Sequence, residues 1–310
     1  MAENTGPVQT GLTVLLAGAS GLIGRALSHH LVQSGHTVHR LVRRAPTDAS
    51  EHQWNPEAKH IQSGIVAHVD VVVNLSGASI SRMPWSRHYQ SVIMNSRLAA
   101  TETLADAIQR AESPPKAFIS ASAVGFYGDR GNEELTEESE RGTGFLADVC
   151  VAWEAAASRA ARDTTRVCFA RTGLVLADGG ALTPLKLQTL LGVGGLVGPG
   201  TQWWPWISLT DEVRALTYLI ENPLTTGPYN LVGPEPAPAS EVTRELARLL
   251  RRPHRLGLPS WAIRTLLGQA GEELLLPSQK ILPRRLLQQG FSFEHKTVGA
   301  ALESVLGRRA

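Results

Sequence analysis

Near the start of the chain, the run Leu12-Thr-Val-Leu-Leu-Ala17 leads directly into Gly18-Ala-Ser-Gly21-Leu-Ile-Gly24. A short aliphatic run that ends in glycine predicts a buried β-strand. After the glycines, Ile23, Leu27 and Leu31 recur every four residues, which predicts the apolar face of a helix. A strand, a glycine-rich turn and a helix in this order are typical of a dinucleotide-binding fold.

Each glycine of this turn has a physical reason. Gly18 allows the tight turn, Gly21 lets the backbone approach a pyrophosphate, and Gly24 lets the helix pack closely on the strand. Free N–H groups and the dipole at the start of the helix favour a phosphate. The spacing is GxxGxxG rather than GxGxxG, and an ordinary glycine turn is the alternative interpretation. The expected cofactor contacts of the turn are Gly18, Ser20, Gly21, Leu22, Ile23 and Gly24.

The end of the second predicted strand, 37–42, indicates which dinucleotide binds. An NAD enzyme usually carries an acidic residue about 20 residues past the glycines, where it binds the ribose hydroxyls. Arg43 and Arg44 follow the strand here, with no acid beside them. A carboxylate would repel a 2′-phosphate, whereas an arginine pairs with it through two parallel hydrogen bonds. The sequence therefore predicts NADP(H) bound by Arg43 and Arg44, unless both are simply solvated surface residues.

Strands and helices alternate along the first half of the chain, which predicts right-handed βαβ crossovers and a parallel sheet. The expected fold is α/β, a Rossmann-type doubly wound sheet with a small C-terminal substrate lobe. We expect residues 1–10 to form a disordered tail. Residues 11–176 would form the nucleotide-binding domain, to which 205–232 return. The glycine- and proline-rich stretches 177–204 and 233–310 would form the lobe.

Composition excludes several classes of protein. The 310 residues carry 30 basic and 28 acidic side chains, which argues against a nucleic-acid-binding protein. No apolar run reaches the roughly 20 residues of a membrane span, and the first ten residues do not resemble a secretory signal. Cys150 and Cys168 are the only cysteines and the ten histidines lack ligand spacing, so we expect no metal site. These features favour a cytoplasmic protein without membrane or nucleic-acid partners.

Several motifs together resemble the extended short-chain dehydrogenase/reductase superfamily. They are Asn74-Leu75-Ser76-Gly77, Ser120-Ala-Ser-Ala-Val-Gly-Phe-Tyr-Gly128, Trp206-Ile-Ser-Leu-Thr-Asp211 and Tyr229-Asn-Leu231. More narrowly, the chain is similar to an atypical branch labelled "epimerase family protein", sugar-nucleotide epimerase-like or cell-division inhibitor. The marks of that branch are Ser96-Arg97, Trp153-Glu154, Arg171-Thr-Gly-Leu-Val-Leu176, Gln202-Trp-Trp-Pro-Trp-Ile207 and Gln279-Lys-Ile-Leu-Pro-Arg-Arg-Leu-Leu287. The similarity extends from about Leu12 to Leu306.

The resemblance implies an NADP(H)-binding Rossmann fold with a small C-terminal lobe, and no known substrate. It also implies further cofactor contacts beyond the glycine turn. These are Leu75, Ser76 and Gly77 in the turn along the cofactor, Arg97 on the following helix, and Ala121 at the serine strand. A homodimer through the helix that contains Glu154 is expected only by analogy with extended short-chain proteins.

The superfamily's catalytic Tyr-x-x-x-Lys pair is missing. Cys150 stands at the tyrosine position and Glu154 at the lysine position. A carboxylate cannot supply the positive charge that lowers the pKa of a tyrosine. Three interpretations stay open. Either Glu154 acts as a general base with Ser122 and Tyr127 at the substrate, or Cys150 acts as an acid or thiolate. In the third, Cys150 is a buried apolar residue and Glu154 pairs structurally with Arg97.

Ser122 is the expected substrate-orienting hydroxyl, because ligands bind at the carboxyl edge of open α/β sheets. Tyr127 either faces the substrate or is a packed loop aromatic. The tryptophans at 203, 204 and 206 would line a pocket or, as we favour, anchor the lobe. Asp211 follows Thr210 before a helix and is interpreted as a helix cap.

The sequence thus predicts an NADP(H)-dependent oxidoreductase or epimerase-like enzyme. Its substrate would be a small carbonyl or hydroxyl compound, nucleotide sugars included, with Ser122, Tyr127 and Glu154 as catalytic candidates. The missing Tyr-Lys pair leaves a second hypothesis, a non-catalytic binding or regulatory protein that responds to NADP(H).

Overall fold

A central eight-stranded sheet organises the molecule, which is described here over residues 11–307 of a computed structural model. The strands are β1 (Thr13–Ala17), β2 (Thr37–Val42), β3 (Glu51–Asn55), β4 (His60–Ile61), β5 (Val71–Asn74), β6 (Ala117–Ala123), β7 (Glu134–Leu135), β8 (Arg166–Thr172), β9 (Leu174–Leu176), β10 (Trp203–Trp204), β11 (Trp206–Ser208), β12 (Gly227–Leu231), β13 (Ala237–Pro238) and β14 (Lys280–Ile281). The predicted tail, residues 1–10, lies outside the described residues.

The strand order in the sheet is β12-β8-β6-β5-β1-β2-β3-β4, and every neighbouring pair is parallel except the hairpin of β3 and β4. All four residues of β5 are buried, as expected for a strand covered on both faces. From β1 the chain first builds outward to β2 and then crosses back to β5 on the other side. Ligands of open α/β sheets bind at such a reversal point, at the carboxyl ends of the strands.

Helices cover both faces of the sheet. They are α1 (Leu22–Gln33), α2 (Arg87–Arg110), α3 (Phe145–Ser158), α4 (Leu182–Leu190), α5 (Leu209–Glu221), α6 (Ala239–Leu249), α7 (Ser260–Leu267), α8 (Gln269–Leu274), α9 (Arg284–Gln288) and α10 (Val298–Leu306). Leu27 of α1 and Leu216 of α5 share the core on one face. Leu104 of α2 and Ala157 of α3 share the core on the other. The predicted doubly wound α/β fold is therefore confirmed.

A second core lies in the C-terminal lobe. It joins Trp204 and Trp206 to apolar residues of α6 and α10. Part of the C-terminal chain does not stay in this lobe: β14 pairs with β7, and Phe291 and Phe293 pack in the core of the nucleotide-binding domain. The C-terminal segment therefore connects the two cores.

Within residues 11–307, no helix is both long and apolar enough to cross a bilayer. The same residues contain no group of three or more His, Cys, Asp or Glu side chains placed to hold a metal ion.

Candidate active site

The glycine turn has the geometry of a phosphate cradle. Gly18 has a φ of +82°, and a Cβ there would lie 2.7 Å from the backbone carbon of Leu75. A Cβ at Gly24 would lie 2.2 Å from the carbonyl oxygen of Gly18, so the third glycine does allow α1 to approach the strand. Gly21 is the exposed N-cap of α1 and supplies no side-chain acceptor. The first-turn N–H groups of α1 are thus available to an anion.

The turn after β5 is fixed against Gly18 by a buried hydrogen-bond network. Asn74 donates from Nδ2 to Thr101 Oγ1 over 2.9 Å and accepts from the Ser76 backbone N–H over 3.1 Å. Trp153 Nε1 also donates to Thr101 Oγ1, over 2.9 Å. The network ties together β5, α2 and α3. It places the predicted cofactor contacts Leu75, Ser76 and Gly77 beside the glycine turn.

The two arginines after β2 differ in their surroundings. Arg44 forms two hydrogen bonds of 2.7 Å with the carboxylate of Glu51, the first residue of β3. Thr47 adds backbone and hydroxyl hydrogen bonds to the same carboxylate. The hydrogen bonds from Arg44 lower the pKa of Glu51 to about 2. Arg43 is exposed and forms no ion pair with any residue between 11 and 307, so its guanidinium is the one free to take a phosphate.

Glu154 lies in a buried ion pair with Arg171. Arg171 Nε donates to Oε1 over 2.8 Å, and Nη2 donates to Oε2 over 2.9 Å. Ser122 Oγ donates to Oε1 over 2.7 Å. Ser122 and Arg171 stand opposite each other on β6 and β8, so both side chains reach the α3 face where Glu154 lies.

The interpretation that Glu154 pairs with Arg97 is therefore wrong. Arg97 turns toward the loop after β5 instead. Its Nη1 donates to the carbonyl oxygens of Ala78 and Ile93 over 3.1 and 3.0 Å, and a Cβ at Gly77 would lie 3.1 Å from its Cζ.

Arg97 is a poorly solvated cation without a carboxylate partner in the described part of the chain. Burial lowers the pKa of its guanidinium. The face of Trp153 lies 5.0 Å from its Cζ, which offers partial compensation for the charge. A positive charge thus lies directly beside the predicted cofactor turn, where an anion would stabilise it.

Tyr127 does not face a ligand site, so this expectation is wrong. A 3₁₀ turn, Val124–Tyr127, directs its ring inward, and the side chain is fully buried. The hydroxyl donates to Asn230 Oδ1 over 2.7 Å and accepts from Arg171 Nη1 over 2.9 Å. Burial raises the pKa of the phenol to about 12. Tyr127 therefore supports Arg171 from behind, which matches the alternative of a packed aromatic.

Cys150 is a buried thiol that packs between α3 and the end of β6. Its Sγ donates to the carbonyl oxygen of Ala123 over 3.5 Å. Burial, with the Glu154 carboxylate, raises the pKa of the thiol to about 12. The thiolate interpretation is therefore wrong, because the protein keeps this group neutral at physiological pH.

The remaining candidates have structural partners. The three tryptophan Nε1 atoms, at 203, 204 and 206, donate to Asn132, Leu275 and Glu235. Trp204 and Trp206 are buried in the lobe core, in line with the favoured interpretation. Asp211 lies inside α5, and the N-cap is Ser208, whose Oγ accepts the Asp211 backbone N–H. The interpretation of Asp211 as the helix cap is therefore wrong. The Asp211 carboxylate also accepts the backbone N–H groups of 294 and 295.

The chain matches a known family over most of its length. Residues 14–233 fit the NAD dependent epimerase/dehydratase family, and residues 258–305 fit a domain of unknown function, DUF1731. The chain belongs to this epimerase family. An epimerase family protein of Mycobacterium leprae is 42% identical over 290 residues, covering 93% of this chain and 94% of the relative.

Two solved structures of family relatives are also similar. The human epimerase family protein SDR39U1, crystallised with NADPH, has a TM-score of 0.89 at 33% identity and covers 96% of this chain and 99% of its own. A nucleoside-diphosphate sugar epimerase from Corynebacterium glutamicum has a TM-score of 0.80 at 36% identity, covering 96% of this chain and 59% of its own. The family resemblance and the Rossmann-type fold are confirmed, and a nicotinamide dinucleotide is the cofactor of the family.

Three contributors to the site were not recognised as such in the sequence. Arg171 appeared only as part of a motif, although an arginine inside a buried strand beside the serine strand is itself a signal. Glu51 gave no signal, because its pairing with Arg44 depends on the register of β2 and β3. Asn74 was visible as the start of its motif, but its bond to Thr101 depends on tertiary packing.

Proposed function

We propose that this protein is an NADP(H)-dependent oxidoreductase or epimerase-like enzyme that acts on a small carbonyl or hydroxyl compound. The observation that carries this proposal is the uncapped first turn of α1 together with the unpaired guanidinium of Arg43. An anion at the glycine turn and a second at the end of β2 would complete both sites, and NADP(H) carries a pyrophosphate and a 2′-phosphate.

The cofactor would be held along the carboxyl edge of the sheet. The N–H groups that follow Gly21 would take the pyrophosphate, and Arg43 would take the 2′-phosphate. Leu75, Ser76, Gly77 and Ala121 would contact the molecule along the reversal point of the sheet. Arg97, which has no carboxylate partner within residues 11–307, would contact the anionic part of the cofactor. Ser20 would also contact the cofactor. Its carbonyl oxygen accepts a hydrogen bond from the Arg25 guanidinium, and this bond holds the glycine turn in place.

A bound nicotinamide supplies the hydride acceptor or donor. Ser122 directs its proton to Glu154, so the lone pairs of Ser122 Oγ stay available to accept a hydrogen bond from a substrate hydroxyl. During oxidation, the substrate proton passes to Ser122 Oγ while the serine proton passes to Glu154. Carbonyl reduction reverses both transfers. Arg171 holds the carboxylate in place through two bonds, and Tyr127 holds Arg171.

Two measurements test the proposal. Titration calorimetry should show tighter binding of NADPH than of NADH. Labelled NADPH should then transfer hydride to at least one member of a panel of ketones, quinones and nucleotide sugars. Failure to bind NADPH would refute the cofactor assignment, whereas binding without any transfer across the panel would count against catalysis.

A specific observation supports a second candidate, a non-catalytic protein that responds to NADP(H). Glu154 is fully engaged by Arg171 and Ser122, and a neutral Cys150 occupies the tyrosine position. This candidate requires tight NADPH binding without turnover and a partner whose capture from lysate depends on NADPH. Capture that is indifferent to NADPH would exclude it.

Location and assembly are part of the same proposal. Both cysteines are buried and free, which supports a reducing, cytoplasmic setting. A homodimer through α3 stays a prediction, and sedimentation equilibrium would test it.

A further inference from the structure

The C-terminal lobe presents a cluster of exposed, large apolar side chains. Leu187 and Leu190 lie one turn apart on α4, and Leu191 is the C-cap of the same helix. Trp261 on α7 and Leu191 are 70% and 69% exposed, respectively. We call the full set the lobe surface. It consists of Leu187, Leu190, Leu191, Leu196, Leu256 and Trp261. Scattered apolar side chains on a surface are normal, but a concentration of this kind marks a contact site.

Two chain segments build the lobe surface, and backbone contacts join them. The Leu258 N–H donates to the Leu196 carbonyl oxygen over 2.8 Å, and Val197 forms a β-bridge with Leu258. The backbone at Leu256 lies so close to Gly195 that a Cβ there would overlap the Leu256 carbonyl. Ser260, next to Trp261, lies against Gly198. The chain that follows α4 and the chain that leads into α7 are therefore neighbours.

The charged side chains within the same two segments are all basic, although Lys186, Arg248 and Arg264 pair with Asp178, Glu245 and Glu272 just outside them. No acidic residue occurs from 179 to 210 or from 246 to 271. Arg251, Arg252 and Arg255 are exposed, and none forms an ion pair within residues 11–307. The chain as a whole has a net charge of only +2, so an unpaired cluster of three arginines is a local excess. It lies in the loop that leads into Leu256 and Trp261.

Apolar side chains, an exposed tryptophan and unpaired arginines are the chemistry that recognises an anionic lipid bilayer. Leucine side chains enter the boundary between headgroups and acyl chains, tryptophan prefers the interface, and arginine pairs with lipid phosphates. A second copy of this chain fits less well, because it would bring the same arginines face to face. In contrast to the expectation from composition that the protein has no membrane partner, we propose that the lobe surface docks it reversibly on membranes that contain anionic lipids, without spanning them.

Vesicle sedimentation tests this proposal independently of any enzymatic activity. The full chain is mixed with vesicles of equal parts phosphatidylglycerol and phosphatidylcholine, or with phosphatidylcholine alone. We expect the protein to bind the anionic vesicles at least about tenfold more tightly, with binding that weakens as NaCl is raised. No binding, or equal binding to both vesicles, would overturn the proposal.

Matched variants locate the contact. Arg252→Gln with Arg255→Gln should weaken binding to anionic vesicles about tenfold or more, and Trp261→Asp should weaken it similarly. Arg87→Gln with Arg110→Gln removes the same charge from α2, and Leu224→Asp alters an exposed leucine elsewhere. Both controls should bind like the wild type. An equal loss of vesicle binding in the controls would refute the assignment. So would variants at the lobe surface that lose self-association but bind vesicles like the wild type. Circular dichroism confirms that each variant is folded.

Discussion

Replacing Arg43 with alanine should abolish most of the preference for NADPH over NADH. Arg43 is exposed and unpaired within residues 11–307, whereas both terminal nitrogens of Arg44 are bonded to Glu51. A hydrogen bond to a charged group contributes about 1.5–3 kcal/mol, and every 1.4 kcal/mol corresponds to about tenfold in affinity. We therefore expect Arg43→Ala to weaken NADPH binding by roughly tenfold to a hundredfold, measured by calorimetry, and to leave NADH binding nearly unchanged.

Arg44→Ala is the matched control, because it removes an identical side chain one residue away. Its guanidinium holds the loop between β2 and β3 rather than offering free donors, so we expect a smaller loss of NADPH affinity together with a lower melting temperature. A larger loss of NADPH affinity in Arg44→Ala than in Arg43→Ala would refute this reasoning. An equal loss of NADH affinity in Arg43→Ala would also contradict it, because NADH has no 2′-phosphate.

Three further outcomes follow from the buried groups. Ser122→Ala should lower kcat for hydride transfer by about 10²–10⁴-fold with little change in NADPH affinity; unchanged kcat would remove this serine from the proton path. Tyr127→Phe should cost about 1–3 kcal/mol in urea unfolding, because it leaves the buried Asn230 Oδ1 without a donor and removes one acceptor of Arg171, and should spare NADPH binding. Burial raises the pKa of Glu212 from 4.5 to about 8, so the folded state holds this proton more tightly than the unfolded state does. The stability that protonated Glu212 adds is fully present below pH 4.5 and is lost as the pH rises through 8. Glu212→Gln should therefore reduce the change of melting temperature with pH between pH 4.5 and 8.

The sequence was informative where structure is local. The glycine turn, the strand β1 and the helix α1 depend on neighbouring residues, and their positions agree with the sequence within about one residue. The apolar content of β5 is also a local feature, and it fits the burial of this strand on both faces. The hairpin of β3 and β4 was not anticipated, because Glu51–Asn55 contains four polar residues and one tryptophan and shows no regular alternation of burial.

The catalytic candidates were harder to place, because their partners come from other elements. Glu154 was expected to need a cation, and the structure supplies one, but from β8 rather than from α2. That choice depends on the register of β6 and β8, which no local pattern specifies. The prediction that Tyr127 faces the substrate was wrong for a related reason. A short 3₁₀ turn after β6 determines whether its ring points outward or inward.

The exchange of tyrosine and lysine for Cys150 and Glu154 changes where the positive charge lies in this site. A lysine on α3 would place its charge beside the cofactor, whereas here the charge that faces Glu154 comes from Arg171 and is fully paired. The unpaired charge lies instead on Arg97, beside the turn after β5. Under the proposed function, the Ser122 hydroxyl and the Glu154 carboxylate would move the proton, because Tyr127 is buried and the pKa of its phenol is raised to about 12. A serine already bonded to a carboxylate would favour removal of a substrate proton over its donation, so we expect the proposed enzyme to oxidise a hydroxyl more readily than it reduces a carbonyl.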